Sequence, residues 1–429
     1  MITVDISNIW GGVSLPDLLS LEGEISAAHA LLTDPEGPYG DACGWLAPGQ
    51  TPESLQRIQS AAERIRSEND ILVVIASGEL AAGPRAAISL LQGPYRNLCR
   101  GEKEPLILFA GDEFSSRGYE ALTKLLEGKD FSLCLMQNPG DTPETGVLFR
   151  NLHWLLERKY GTDETRRRIY AVLGDVPLAQ TAREEDWELF SLPRWAVGGY
   201  SLFSAAGLLP MAAAGMDITG LLQGAREGGD AFALRSFENP VWLYAAVRNL
   251  LSRRGRGTEV LAAFESGFSE FGLWWQQLFS RAEGKGNQGI IPVPVPYPAG
   301  IPCLGQQILQ SERVFETLLR FSPGEDSPLI FPDIKNSDGL NYLSHQPLSL
   351  LTDSALAGLL TCHPDCGVPV ISMDCGPVNP RTLGELFYFF QLGSALSACL
   401  QGADPFSPDE AEPYRQTLYR LLGRPEEET

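Results

Sequence analysis

The 429-residue chain is short of positive charge: 33 lysines and arginines stand against 54 aspartates and glutamates, a formal net charge of −21. That excess of acid opposes a nucleic-acid backbone and an anionic membrane face, so neither is expected as a partner. No basic stretch followed by an apolar run opens the sequence, which begins Met1-Ile-Thr-Val-Asp-Ile-Ser7, and no secretory leader is expected. Long apolar runs are scarce as well. The window 202–216, read as the most apolar, is broken by Pro210 and falls short of the ~20 residues a spanning helix needs. A soluble, cytoplasmic protein is expected. Cysteine is too thinly spread for a disulfide scaffold: eight residues, at 43, 99, 134, 303, 362, 366, 375 and 399, fit reduced thiols. One local group, Cys362-His363-Pro364-Asp365-Cys366, has ligand types that zinc favours but no standard finger spacing. It reads as the turn between a helix and the strand that follows Gly367, and no metal is expected.

What is present is the pattern of an α/β protein. The hydrophobic share is 44%, and the length suits two domains of about 150 to 200 residues each. Leu55, Ile58, Ala61, Ala62 and Ile65 recur at helical spacing, and Ile71-Leu-Val-Val-Ile75 then reads as a buried strand. The alternation continues with a helix over 84–91, a strand over 106–109, a helix over 116–126, a strand over 131–136, a helix over 145–160 and a strand over 168–173. Such βαβ order predicts a doubly wound parallel sheet, with ligands outside the carboxyl ends of its strands. The expected divisions are an arm at 1–49, a first α/β domain at 50–195, a second at 196–400, and a helix and tail at 401–429. The second domain is expected to run through 241–251 and 271–279, with strands near 329–331 and 368–373. Pro292-Val-Pro-Val-Pro-Tyr-Pro298 is too proline-dense for a helix or central strand and is read as an extended loop. The tail Pro425-Glu-Glu-Glu-Thr429 is expected to be disordered.

Several segments carry more specific information. They are Val197-Gly-Gly-Tyr200-Ser, Gly207-Leu-Leu-Pro210, Trp274-Trp-Gln-Gln-Leu-Phe279, Glu283-Gly-Lys285, Asp338-Gly-Leu-Asn-Tyr-Leu343 and Pro405-Phe406. With them the chain from about residue 44 to residue 425 resembles the glucose-6-phosphate isomerases of bacterial type. The resemblance implies two sugar-isomerase domains, each an α/β/α sandwich, a homodimer, a cleft at the domain and subunit boundary that takes a phosphosugar, and no cofactor. That family's reaction passes through ring opening and a cis-enediol. It requires phosphate donors, a carboxylate to move a proton between C1 and C2, an acid for the ring oxygen and positive charge near the enediolate.

The positions that match those roles are altered. Tyr200 stands where V-G-G-R-[FY]-S has arginine. The phosphate loop S-K-S-G-T-T becomes Gln137-Asn-Pro-Gly-Asp-Thr142, which keeps Gly140 and Thr142 and brings Asp141 towards the phosphate. Taken locally, Asp141 reads as a helix cap. The glycine loop becomes Ala76-Ser-Gly-Glu-Leu80, which keeps Gly78 and adds the side chains of Glu79 and Leu80. The catalytic glutamate falls on Arg281, and a guanidinium does not serve as a base. The ring-opening histidine falls on Pro302, which has no proton to give, and the late lysine falls on Arg415; Gln277 persists. The reading is a catalytically impaired or inactive homologue, acting as a sugar-phosphate sensor or an interaction protein. The alternative is an active isomerase of glucose 6-phosphate and fructose 6-phosphate, or of another phosphosugar, with a rearranged site. Arg281 and Arg415 are expected either to pair with Glu79 and Asp141 and fill the former sugar site, or to be solvated surface charges.

Overall fold

The computed structural model describes residues 1–9, 13–101, 104–113, 115–140, 143–286, 289–322, 327–407 and 412–424. Among these, ten strands form two five-stranded sheets. β1 (Thr3–Asn8) belongs to the second sheet. The first contains β2 (Ile71–Ile75), β3 (Leu106–Ala110), β4 (Phe131–Gln137), β5 (Ile169–Leu173) and β6 (Glu188–Ser191), all parallel, in the order β3-β2-β4-β5-β6. Every residue of β2 and of β5 is buried, which is why these strands are unbroken apolar runs: helices cover both faces. α1 (Gly78–Gln92) starts three residues after β2 ends, so the helix expected over 84–91 is longer and holds Pro84 inside it.

The second sheet contains β7 (Thr258–Ala263), β8 (Ile291–Pro296), β9 (Val314–Ser322) and β10 (Val370–Pro377), ordered β1-β10-β9-β7-β8, with β1 antiparallel on β10 and the other pairs parallel. The opening segment, expected as an arm, supplies an edge strand of the second sheet. The proline-rich stretch is a strand rather than a loop, and it lies at the sheet's edge. The amides of Ile291 and Tyr297 donate to Gly257 and Ala263, on the β7 side. Alternation along a strand then puts the missing N–H groups of Pro292, Pro294 and Pro296 on the open edge, where no ladder needs them. The segment 329–331 is not a sheet strand: Leu329 makes an isolated bridge with Pro347, and Phe331 is 90% exposed.

Six further helices position the site: α2 (Ile218–Ala231), α3 (Phe268–Glu283), α4 (Ile301–Gln310), α5 (Ser349–Asp365), α6 (Pro380–Leu400) and α7 (Glu412–Leu421). α6 is the described helix long and apolar enough to cross a membrane by length and composition, ahead of the window 202–216, yet it is a core helix with most of its residues buried. Its amino end is capped by Asn379, whose Oδ1 accepts from the Thr382 amide at 2.9 Å. It crosses α2 at glycines that allow backbone contact: a Cβ on Gly224 would lie 1.7 Å from the Arg381 carbonyl oxygen, and one on Gly384 would lie 1.9 Å from that of Leu221. Buried polar residues Gln391, Ser394 and Ser397 form a seam along α6 at a spacing of three, on one side of the helix.

Candidate active site

The carboxyl end of β2 runs through Ala76 and Ser77 into α1, so Gly78 and Glu79 lie in the first turn of that helix. α3 packs against α1 and brings Gln277 and Arg281, one helical turn apart, to the same place. Nη1 of Arg281 donates to both oxygens of Glu79, at 2.9 and 2.7 Å, with the arginine side chain 20% exposed and the glutamate 43%. The amide of Gln277 borders Gly78, where a Cβ would meet Nε2 at 3.8 Å. Gly198, at φ +48°, forms the wall: a Cβ there would stand 3.3 Å from both Arg281 Cδ and Glu79 Oε2. The Gly-Gly turn thus gives the ion pair room, as well as supplying a left-handed backbone that other residues resist. Two buried polar atoms beside the pair, Arg281 Nε and Gln277 Oε1, have no hydrogen-bond partner among the described residues.

The other matched positions fall in different places. Tyr200 is 1% exposed. Its hydroxyl shares a 2.8 Å hydrogen bond with Ser394 Oγ, and its ring packs on Trp45 and Phe406. Burial pushes its phenol far above the ordinary range. Tyr200 therefore does not stand in for the motif's arginine at the cleft. It is followed by Ser201 and behaves as the core aromatic of [FY]-S, and no arginine separates it from Gly199. Leu80 is also core, at 1% exposed, so Glu79 alone narrows the cleft. Pro302 lies in the exposed first turn of α4. Arg415, on α7, donates through Nη1 to the carbonyl of Gly140, which sits at φ +92° after β4. Asp141 and Thr142 lie outside the described residues, and with them the pairing of Arg415 with Asp141. Of the two expected ion pairs, the structure brings together Arg281 and Glu79.

Beneath this cleft lies a buried ionic network that sequence reasoning missed. Arg248 Nε donates to Glu259 Oε2 at 2.6 Å, while Nη1 donates to Glu283 Oε1 at 2.5 Å and to Ser397 Oγ at 2.6 Å. Glu259 also accepts from Tyr244 at 2.9 Å and from Thr317 at 2.6 Å. Burial opposes the charge of Arg248, but the two carboxylates outweigh it and raise its pKa. The polar seam of α6 was the available signal, because each member reaches this region: Gln391 donates to the Gly199 carbonyl at 2.9 Å, Ser394 meets Tyr200, and Ser397 meets Arg248. Glu283 is 1% exposed and held by Arg248, so it is not poised to replace a catalytic base.

In the cysteine and histidine group the two thiols meet, Cys366 lying within hydrogen-bonding reach of Cys362, while the histidine is bonded elsewhere. Cys362 and Cys366 are exposed at the end of α5, whereas His363 is buried and bonded through Nδ1 to Glu316, which also accepts from Tyr297 at 2.6 Å. Among the described residues, no three metal-ligating side chains gather.

No protein-family model matches the chain. Over 432 residues it is 35% identical to a glucose-6-phosphate isomerase of Alkaliphilus metalliredigens and 36% identical to one of Bacillus cytotoxicus, with 99% of this chain and 96% of each relative covered. A glucose-6-phosphate isomerase of Streptococcus agalactiae is 37% identical over 433 residues at the same coverage. Among solved structures, a hypothetical protein of Thermus thermophilus superposes with a TM-score of 0.85 at 22% identity, covering 98% of this chain and 100% of that one. A glucose-6-phosphate isomerase of Chlamydia trachomatis has a TM-score of 0.79 at 16% identity, covering 98% and 88%. Those two structures share the fold, while the near-full-length identities carry the assignment: the chain belongs to the glucose-6-phosphate isomerase family.

Proposed function

We propose that this member of the family does not isomerise hexose phosphates at the matched cleft and serves instead as a sugar-phosphate-binding or interaction protein. One observation carries the reading: the place of the proton-transferring carboxylate holds the Arg281 guanidinium, tied to Glu79. Loss of a general base lowers a rate by about 100- to 10,000-fold. The nearest replacement in sequence, Glu283, is buried against Arg248. Free thiols and the absence of disulfides among the described residues fit a cytoplasmic setting. A homodimer belongs to the same proposal. It is supported by Phe331, Ile334 and Tyr342, which are 90%, 102% and 75% exposed on one excursion between β9 and α5 and offer a second copy an apolar surface.

Purified protein, supplied with fructose 6-phosphate and a dehydrogenase that consumes glucose 6-phosphate, tests the catalytic part. Turnover at the background rate supports the reading, and turnover like that of an ordinary isomerase overturns it. A second reading rests on Glu79, whose half-exposed carboxylate borders Gln277 and Arg281. In that case Glu79 is the base of a rearranged site, acting on another phosphosugar. Glu79→Gln would then abolish any turnover found in a phosphosugar screen.

A further inference from the structure

Two exposed thiols stand together at the carboxyl end of α5, and neither belongs to the Arg281 cleft. Cys362 lies in the last turn of the helix and Cys366 is the residue that ends it, so the two are one turn apart on the same face. Both are free, both are exposed, and Cys366 is within hydrogen-bonding reach of Cys362. They share a shallow surface concavity with Ala357, Gly358, Thr361 and Asp365. The face beside them is clear, since a Cβ on Gly358 would meet nothing within 4 Å. His363 is buried against Glu316 and stays out of the pair.

Bond lengths decide what two such thiols can hold. A disulfide needs Cβ atoms about 3.5 to 4.5 Å apart, whereas residues one helical turn apart keep theirs about 5 to 6 Å apart, so direct oxidation would have to unwind the helix end. A metal–thiolate bond is about 2.3 Å long, and one ion between the sulfurs therefore bridges a gap of up to about 4.6 Å with the turn intact. Zinc in a structural site takes four ligands, and among the described residues no three metal-ligating side chains gather. The pair suits instead a soft ion that two sulfurs satisfy. Local charge favours a cation, because Asp365 adjoins the thiols and the carboxyl end of a helix carries partial negative charge. Arg256 donates to the Gly367 carbonyl at 2.9 Å and does not line the concavity.

We propose that Cys362 and Cys366 form a two-thiolate site for a soft monovalent cation of the copper(I) and silver(I) class. Binding displaces both thiol protons: two R–SH and M⁺ give [RS–M–SR]⁻ and two H⁺, with no change of oxidation state. The inference is independent of whether the Arg281 cleft is catalytic. Oxygen-free titration of the reduced full chain with copper(I), in the presence of a chromogenic chelator that competes for the ion, tests it. A pair of thiols competes where a single one does not, because the second bond forms within the same molecule. The chain is expected to withdraw one ion from the chelator. Cys362→Ser and Cys366→Ser should each lose it, while the double variant Cys99→Ser/Cys303→Ser, altered at the other exposed thiols, should keep it. Failure of the chain to withdraw copper(I), retention by either single variant, or loss in the double variant overturns the proposal.

Discussion

Replacing Arg248 with methionine tests the network under the cleft. Arg248, Glu259 and Glu283 are 0%, 0% and 1% exposed, so the substitution strands two carboxylates away from water. Glu259 keeps the Tyr244 and Thr317 hydroxyls, whereas among the described residues the hydrogen bonds to the Glu283 carboxylate come from Arg248. Removing one partner of a buried ion pair costs about 3 to 5 kcal/mol, a large share of the roughly 5 to 15 kcal/mol by which domains are stable. Urea unfolding followed by tryptophan fluorescence reads the loss, since Trp274 and Trp275 lie on α3 with Glu283. The deficit relative to wild type should shrink as the pH is lowered, because protonation neutralises a stranded carboxylate. The triple variant Arg248→Met/Glu259→Gln/Glu283→Gln should recover part of it, because no buried charge is then left unpaired. A loss below about 1 kcal/mol, or a deficit that widens in acid, refutes the reasoning.

Three further outcomes are expected. His29 is buried, with its Nδ1 accepting from Trp242 Nε1 at 2.8 Å; burial first, and Arg235 second, push its pKa down from 6.5 to about 4. Because the folded value lies below the unfolded one, the stability it contributes is complete above pH 6.5 and is lost as the pH falls towards 4. The loss amounts to at most about 3 kcal/mol, and His29→Asn should flatten that part of a stability profile against pH. An aromatic disulfide reagent should find three fast thiols, Cys99, Cys303 and Cys362, and a slower exposed one, Cys366, whose pKa is raised by desolvation and by the neighbouring Cys362, while Cys43 and Cys134, both pushed up to about 12 by burial, react after unfolding. Gly384→Ala should cost more than the ~1 kcal/mol of an ordinary substitution, because its Cβ meets the Leu221 carbonyl oxygen at 1.9 Å; thermal unfolding checks this.

Four of the five strands of the first sheet were legible in the sequence, β6 being missed, and much of the second sheet was not, for a physical reason. β2 and β5 are wholly buried apolar runs between helices. β7 and β9 carry Glu259 and Glu316 in their interiors, which break the apolar pattern, and their partners, Arg248, Tyr244, His363 and Tyr297, come from other elements. β8 was obscured by prolines that only an edge strand tolerates. In the cleft, matched motifs located Arg281, Glu79 and Gln277. The pairing of Arg281 with Glu79, 202 residues apart, was one of two open alternatives. Tyr200 was misplaced because a motif one residue shorter in its turn looks like a substitution until burial shows which residue is the core aromatic.

If nothing in the cleft removes a proton from the sugar carbon, solvent deuterium exchange addresses that step without any coupling enzyme. Glucose 6-phosphate and fructose 6-phosphate are incubated with the protein in heavy water, and the C2 and C1 proton signals are followed by nuclear magnetic resonance. Both signals are expected to persist at the rate seen in buffer alone. Loss of either signal in proportion to protein concentration, retained by Arg281→Ala and free of contaminating isomerase, would contradict the proposed function.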